Sequence, residues 1–201
     1  MGNPALNALG FIIGIVFNLY ATVVAVRFIM QIVRADYYNP LAQGIVRVTD
    51  PILVPLRRIV PSIKRYDTAS LLLCFGVLLL KLLIFKILSL GYTPVLGQSM
   101  LVSQLPTVSL ILLAIVDVIY QLFNVFIYAL IIQAVLSWLP GASGNPVQGL
   151  VQSIGEPVLK PVRNLIPQMG GIDLSVFFTI IGLLALRMFL LGTLQQIFGL
   201  H

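Results

Sequence analysis

Lys81 and Arg187 each stand in the middle of a long apolar run, and they are 106 residues apart. Asn18 and Asn124 repeat the same offset. A basic side chain at the centre of a membrane helix costs about 2.5–3.5 kcal/mol on insertion scales, and each neighbouring leucine returns roughly 0.3–0.6 kcal/mol. Residues 69–91 hold ten leucines, so insertion is feasible. The charge still needs a partner or a route to water, and intramembrane ionisable groups are functional candidates for that reason. The only acid on the neighbouring helix, Asp117, falls at the outer end of a helix starting there. Counting about 1.5 Å per residue from the span ends sets each asparagine within about one turn of its cation. The expectation is two related polar sites, Asn18–Lys81 and Asn124–Arg187, with snorkelling of both cations as the alternative. Arg27 and Lys86, nearer the span ends, are expected to snorkel. Other chemistries lack their residues: Cys74 is the only cysteine and His201 the only histidine. There is no Ser/His/Asp set and no glycine-rich phosphate loop, so neither an enzyme nor a cofactor is expected.

These residues need a membrane to sit in, and the composition supplies one. The chain is 59% hydrophobic and only 9% charged, with a mean hydropathy of +1.06. Ordinary soluble domains carry about 25% charged residues. Spans are expected at 11–33, 69–91, 117–139 and 173–197, each near the roughly 20 residues that cross a bilayer. Residues 108–116 either extend the third span or form a short interfacial segment. Gly76 and Gly182, again at the common offset, are candidates for close helix packing, and Trp138 for an interface anchor.

The offset runs through the charged linkers as well. Asn39, Pro40, Pro51, Pro55, Arg57, Pro61 and Asp67 recur as Asn145, Pro146, Pro157, Pro161, Arg163, Pro167 and Asp173. Asp50 recurs as Glu156. The chain therefore reads as a tandem duplication. The first repeat is 11–91, an outward-facing connector is 92–116, and the second repeat is 117–197. Asp50-Pro51 and Glu156-Pro157 resemble helix starts, an acid near the cap and proline at the first helical position. The following residues place apolar side chains on one face, with Arg57, Arg58, Lys160 and Arg163 opposite. Pro55 and Pro161 should bend these short helices, and Pro61 and Pro167 should end them. Basic faces beside a span end meet anionic headgroups or dock a membrane-protein partner. Asp67 and Asp173 are expected to cap the spans that follow, with ion binding as the alternative.

The net charge of +6 is an orientation signal here, and no nucleic-acid partner is expected. The basic residues outside the spans lie in the two linkers, which places both linkers in the cytoplasm and both termini outside. The fold class is an all-α membrane protein: four transmembrane helices in two duplicated two-helix units, each with an amphipathic interfacial helix in its cytoplasmic linker.

The Asn-Pro start, the acid-Pro-x-x-x-Pro-x-Arg helix, the closing proline and the re-entry aspartate, all present twice, resemble the YggT/YlmG family. The resemblance covers residues 11 to 197. It departs from the family's I-D-x-S-P pattern, which reads Tyr66-Asp67-Thr68-Ala69-Ser70 and Ile172-Asp173-Leu174-Ser175-Val176 here. The resemblance implies a small multi-pass protein of the bacterial inner membrane, tied to osmotic or extracytoplasmic stress tolerance. Plastid relatives are tied to cytochrome b6 haem assembly, but this chain lacks the histidines to ligate haem. Two function classes follow: a non-enzymatic scaffold or assembly factor, or an oligomeric ion or osmolyte channel using the intramembrane cations. The scaffold reading fits a membrane-protein partner, and both readings accommodate a homo-oligomer.

Overall fold

Residues 4–33 contain one charged side chain, Arg27, and no proline after the first position, so nothing interrupts a helix. The computed structural model, which describes residues 4–61, 66–90, 92–138, 145–165 and 174–199, forms α1 there as Pro4–Val33. It continues with α2 (Pro40–Ile59), α3 (Thr68–Ile87), strands β1 (Tyr92–Val95) and β2 (Gln98–Leu101), α4 (Thr107–Ser137), α5 (Pro146–Arg163) and α6 (Leu174–Phe198). The described residues are thus mostly helical. Helices α1, α3, α4 and α6 are long and apolar enough to cross a membrane.

The third long helix starts ten residues before the expected Leu-rich span, at Thr107, so residues 108–116 belong to it. At about 1.5 Å per residue, α1 and α4 are about 45 Å long and α3 about 30 Å. The surplus of α1 and α4 lies at one end of the bundle, where the β1–β2 hairpin packs between them. The hairpin pairs Val95 with Gln98 and Tyr92 with Leu101. Its turn, Leu96-Gly97, has φ +54° and +77°, the left-handed geometry of a two-residue hairpin turn. Beneath it, Leu82, Phe85, Val95, Val102, Leu110 and Leu113 form one apolar cluster. A second cluster, with Val24, Phe28, Leu73, Leu78, Val125 and Ala129, fills the opposite, linker side.

The linker helices begin earlier than Asp50-Pro51 and Glu156-Pro157. Asn39 caps α2, accepting from Leu41 N at 2.9 Å with Pro40 behind it, and Asn145 caps α5 through Val147 N at 2.9 Å with Pro146 behind it. Asparagine caps as well as aspartate and better than glutamate, and proline is favoured in the first turn. Pro51, Pro55, Pro157 and Pro161 then fall inside helices, each forgoing one backbone bond. Freed from capping, Asp50 pairs with Arg27 at 3.4 Å and Glu156 with Arg163 at 3.2 Å. Arg27 consequently does not snorkel: it is buried, with its guanidinium 5.4 Å from the centre of the Tyr37 ring. Lys86 donates to Leu105 O at 2.8 Å and Thr107 Oγ1 at 3.2 Å at the hairpin end. The two linkers meet where Asn39 Nδ2 donates to Pro146 O at 2.6 Å. Helix α2 ends at Ile59, before Pro61; Pro167 and Asp173 lie outside the described residues.

Gly76 and Gly182 do not mark close approaches, since a Cβ at either would meet nothing within 4 Å. Gly76 instead borders an open apolar groove between α2 and α3. Close contact falls on Gly14, where a Cβ would sit 3.1 Å from Pro94 Cδ.

Candidate functional site

Lys81 is fully buried, 0% exposed, on α3. An ammonium offers three donors and no acceptor, so it is satisfied here only by three oxygens. The structure supplies them from three separate elements. Lys81 Nζ donates to Asn18 Oδ1 of α1 at 2.8 Å, to Pro94 O of β1 at 3.2 Å and to Asp117 Oδ2 of α4 at 3.0 Å. Asp117 is 1% exposed, and its other oxygen accepts from Leu96 N at 3.4 Å. The hairpin therefore acts as a lid whose backbone contributes one acceptor to the cation and one donor to the anion.

The expectation that no acid lies at the depth of Lys81 is overturned by this pair. The reason is the start of α4 at Thr107. Ten extra residues at its hairpin end, about 15 Å of helix, carry Asp117 from the membrane surface into the bundle. The best signal in the sequence was the uninterrupted apolar run from Val108 onward.

Arg187 on α6 occupies the corresponding place in the second half and donates to Asn124 Oδ1. Its guanidinium also lies 5.0 Å from the centre of the Tyr120 ring, within cation–π range. Between α1 and α4 a polar cavity of about 160 Å³ is lined by Asn18, Thr22, Asp117, Tyr120, Gln121 and Asn124, among others. Thr22 Oγ1 and Gln121 Oε1 lie 3.1 Å apart across it. A water occupies about 30 Å³ of liquid, so the cavity has room for several.

Tyr120 is held in place by the turn. A Cβ at Gly97 would overlap the Tyr120 hydroxyl, and the positive φ of Gly97 disfavours any side chain. Gly97→Ala is expected to cost about 1–2 kcal/mol from the left-handed backbone alone, with the Tyr120 ring displaced as well. Thermal unfolding of the detergent-solubilised protein checks this; an unchanged midpoint would mean that the turn relaxes freely.

At the linker end, Asp67 caps α3. It accepts from Ser70 N at 3.4 Å and Ser70 Oγ at 2.5 Å, and it forms an ion pair with Arg57. Burial pushes its carboxyl pKa up, but the Arg57 guanidinium and the Ser70 hydrogen bonds together outweigh this and hold it below its ordinary value. Arg57 and Arg163 are thus engaged within the chain. Arg47, Arg58 and Lys160 are exposed. Arg47 joins the basic residues of the linker only because α2 begins at Pro40, ahead of the acid-proline pair.

Among known proteins, the CCB3/YggT family model matches the chain twice, over residues 6–88 and 112–194. An uncharacterized Pseudomonas aeruginosa protein, PA0392, is 40% identical over 183 residues, covering 91% of this chain and 88% of that protein. An uncharacterized Haemophilus influenzae protein is 36% identical over 189 residues, 94% of each chain. YggT of Escherichia coli K12 is 31% identical over 191 residues, 94% of this chain and 93% of that one. No solved structure matches.

Proposed function

This chain belongs to the CCB3/YggT family, and from that premise we propose that it is a non-enzymatic membrane scaffold or assembly factor. The observation that carries this reading is the closed state of the central cation. Lys81 has its full set of acceptors, one of them the carboxylate of Asp117, and none of its surface is left to a passing solute. Such a centre ties α1, α3, α4 and the hairpin together and leaves display to the linker side.

There α2 has three faces. Ala42, Thr49 and Leu53 are buried against the bundle. Leu41, Val48, Ile52 and Ile59, which fall on one stripe at about 3.6 residues per turn, are exposed. Gln43, Arg47 and Arg58 lie on the remaining side. An exposed apolar stripe beside basic residues suits a helix lying among anionic headgroups. Helix α5 differs: it buries Leu150, Val151, Ile154, Gly155 and Leu159 and exposes Lys160. In this reading the duplicated linkers lie on the cytoplasmic face of a bacterial inner membrane, the termini face outward, and a membrane-protein partner tells the two copies apart by these unequal faces. Stress sensitivity would then follow from a partner left unassembled.

Photo-crosslinking in cells from position 47 or 160 tests the proposal. A discrete protein adduct is expected, lost when the other two of Arg47, Arg58 and Lys160 are changed to glutamate without loss of membrane accumulation. Adducts indifferent to that charge reversal would sink the docking role.

A second reading, conduction by an oligomer, has the 160 Å³ polar cavity in its favour. Against it, the layer formed by Val24, Phe28, Leu73, Val125 and Ala129 closes the linker side of that cavity within one copy.

A further inference from the structure

We propose that a cavity beside Arg187 binds an oxyanion, a phosphate or carboxylate group, which does for Arg187 what Asp117 does for Lys81. The two cations hold corresponding places in the duplicated chain, and each receives one hydrogen bond acceptor from the corresponding asparagine. Beyond that they part. Lys81 has a carboxylate at 3.0 Å and is sealed. Arg187 is only partly buried, and among the described residues no carboxylate pairs with it. The duplication offers no acid either: the residue corresponding to Asp117 is Phe11, which is 66% exposed on α1.

What Arg187 has instead is space. A cavity of about 380 Å³ opens beside it, bounded by the Leu96-Gly97 turn, Gln98, Tyr120 and Gln195. That volume lies in the range of small-ligand pockets, roughly 300–1,000 Å³. Guanidinium has five donors in a planar fork and matches carboxylate and phosphate oxygens two at a time. One of its nitrogens is engaged by Asn124, which orients the fork, and Tyr120 covers one face of it. Gln98 and Gln195 add amide donors suited to the remaining oxygens. An unpaired cation at this depth is costly, and a bound anion removes that cost. Because Met188, which lines the cavity, is an exposed apolar residue, and Phe189 next to it in α6 is exposed as well, the oxyanion can belong to a lipid headgroup whose chains run along α6, or to a free solute.

The test uses the full chain purified in uncharged detergent, with the thermal midpoint as readout. Inorganic phosphate is titrated against chloride at equal ionic strength, and phosphatidylglycerol against phosphatidylcholine. A saturable rise with phosphatidylglycerol alone assigns the site to a headgroup; a rise with phosphate as well assigns it to a soluble oxyanion. Both outcomes require that Gln195→Glu weaken the response at least tenfold. That substitution keeps the shape of the side chain and the Arg187–Asn124 bond while placing a carboxylate in the cavity, so it remains informative where Arg187→Gln fails to fold. No rise with either additive, or a rise that survives Gln195→Glu, overturns the proposal; the latter would place the anion on the basic linker helices.

Discussion

Asp117→Leu is expected to destabilise the protein by about 3–5 kcal/mol, because it strands a fully buried ammonium without its counter-charge. The neutral acceptors Asn18 and Pro94 O remain, and they do not replace a carboxylate at 3.0 Å. The same reasoning makes the double variant Lys81→Met/Asp117→Leu far milder than the single one. With both charges gone, no unpaired group is left in the bundle, and apolar replacement of a buried pair is often close to neutral. Thermal unfolding in detergent, or the amount accumulating in the membrane, gives the cycle. Equal losses in the single and double variants would mean that the pair is not coupled and that Asp117 acts through the hairpin alone.

Asp67→Ala carries the second large effect, about 3 kcal/mol. It removes the cap of α3, worth about 0.5–2 kcal/mol, and the charged hydrogen bonds to Arg57 and Ser70, worth about 1.5–3 kcal/mol in total. The wild type should show the same interaction through pH. The folded-state pKa of Asp67 lies below its unfolded value, so the unfolded chain binds the proton more readily. The stabilisation is fully present above the unfolded carboxylate value of about 3.9 and is lost as pH falls through the lower folded value. Below about pH 4 the wild type should therefore lose stability more steeply than Asp67→Ala. Parallel pH curves for the two proteins would contradict the capping account.

How much of this was open to a reader of the sequence depends on the element. The four apolar helices follow from composition and length. Asn18 and Lys81 are marked by the 106-residue offset, and the fold sets them 2.8 Å apart. The 106-residue offset alone sets the third span at 117–139 and leaves Asp117 at its outer end; the extension through 108–116, which the sequence leaves open, is what buries it, and the repeat is silent about residues present in only one copy. The hairpin escaped for a local reason. Its turn uses Leu96 at φ +54°, where Asn or Gly is the usual signal, and the packing of Leu96 against the apolar cluster beneath the hairpin compensates. The true starts of the linker helices compete in the sequence with the acid-proline pairs, since asparagine and aspartate cap about equally well; only the fold shows that Asn39 and Asn145 are the caps. Arg27 looks unpaired in the sequence as long as Asp50 reads as a helix cap, and the fold frees Asp50 to pair with it.

The central claim is that the bundle is closed around the Lys81–Asp117 pair and carries no solute. Reconstitution into proteoliposomes, with solute flux followed through an osmotic downshift, tests it most directly. Well-folded wild-type protein of known orientation should give no flux above empty vesicles, and the Lys81→Met/Asp117→Leu variant should give none either. Flux in the wild type that disappears in that variant would contradict the account and make the same residues the lining of a conducting site.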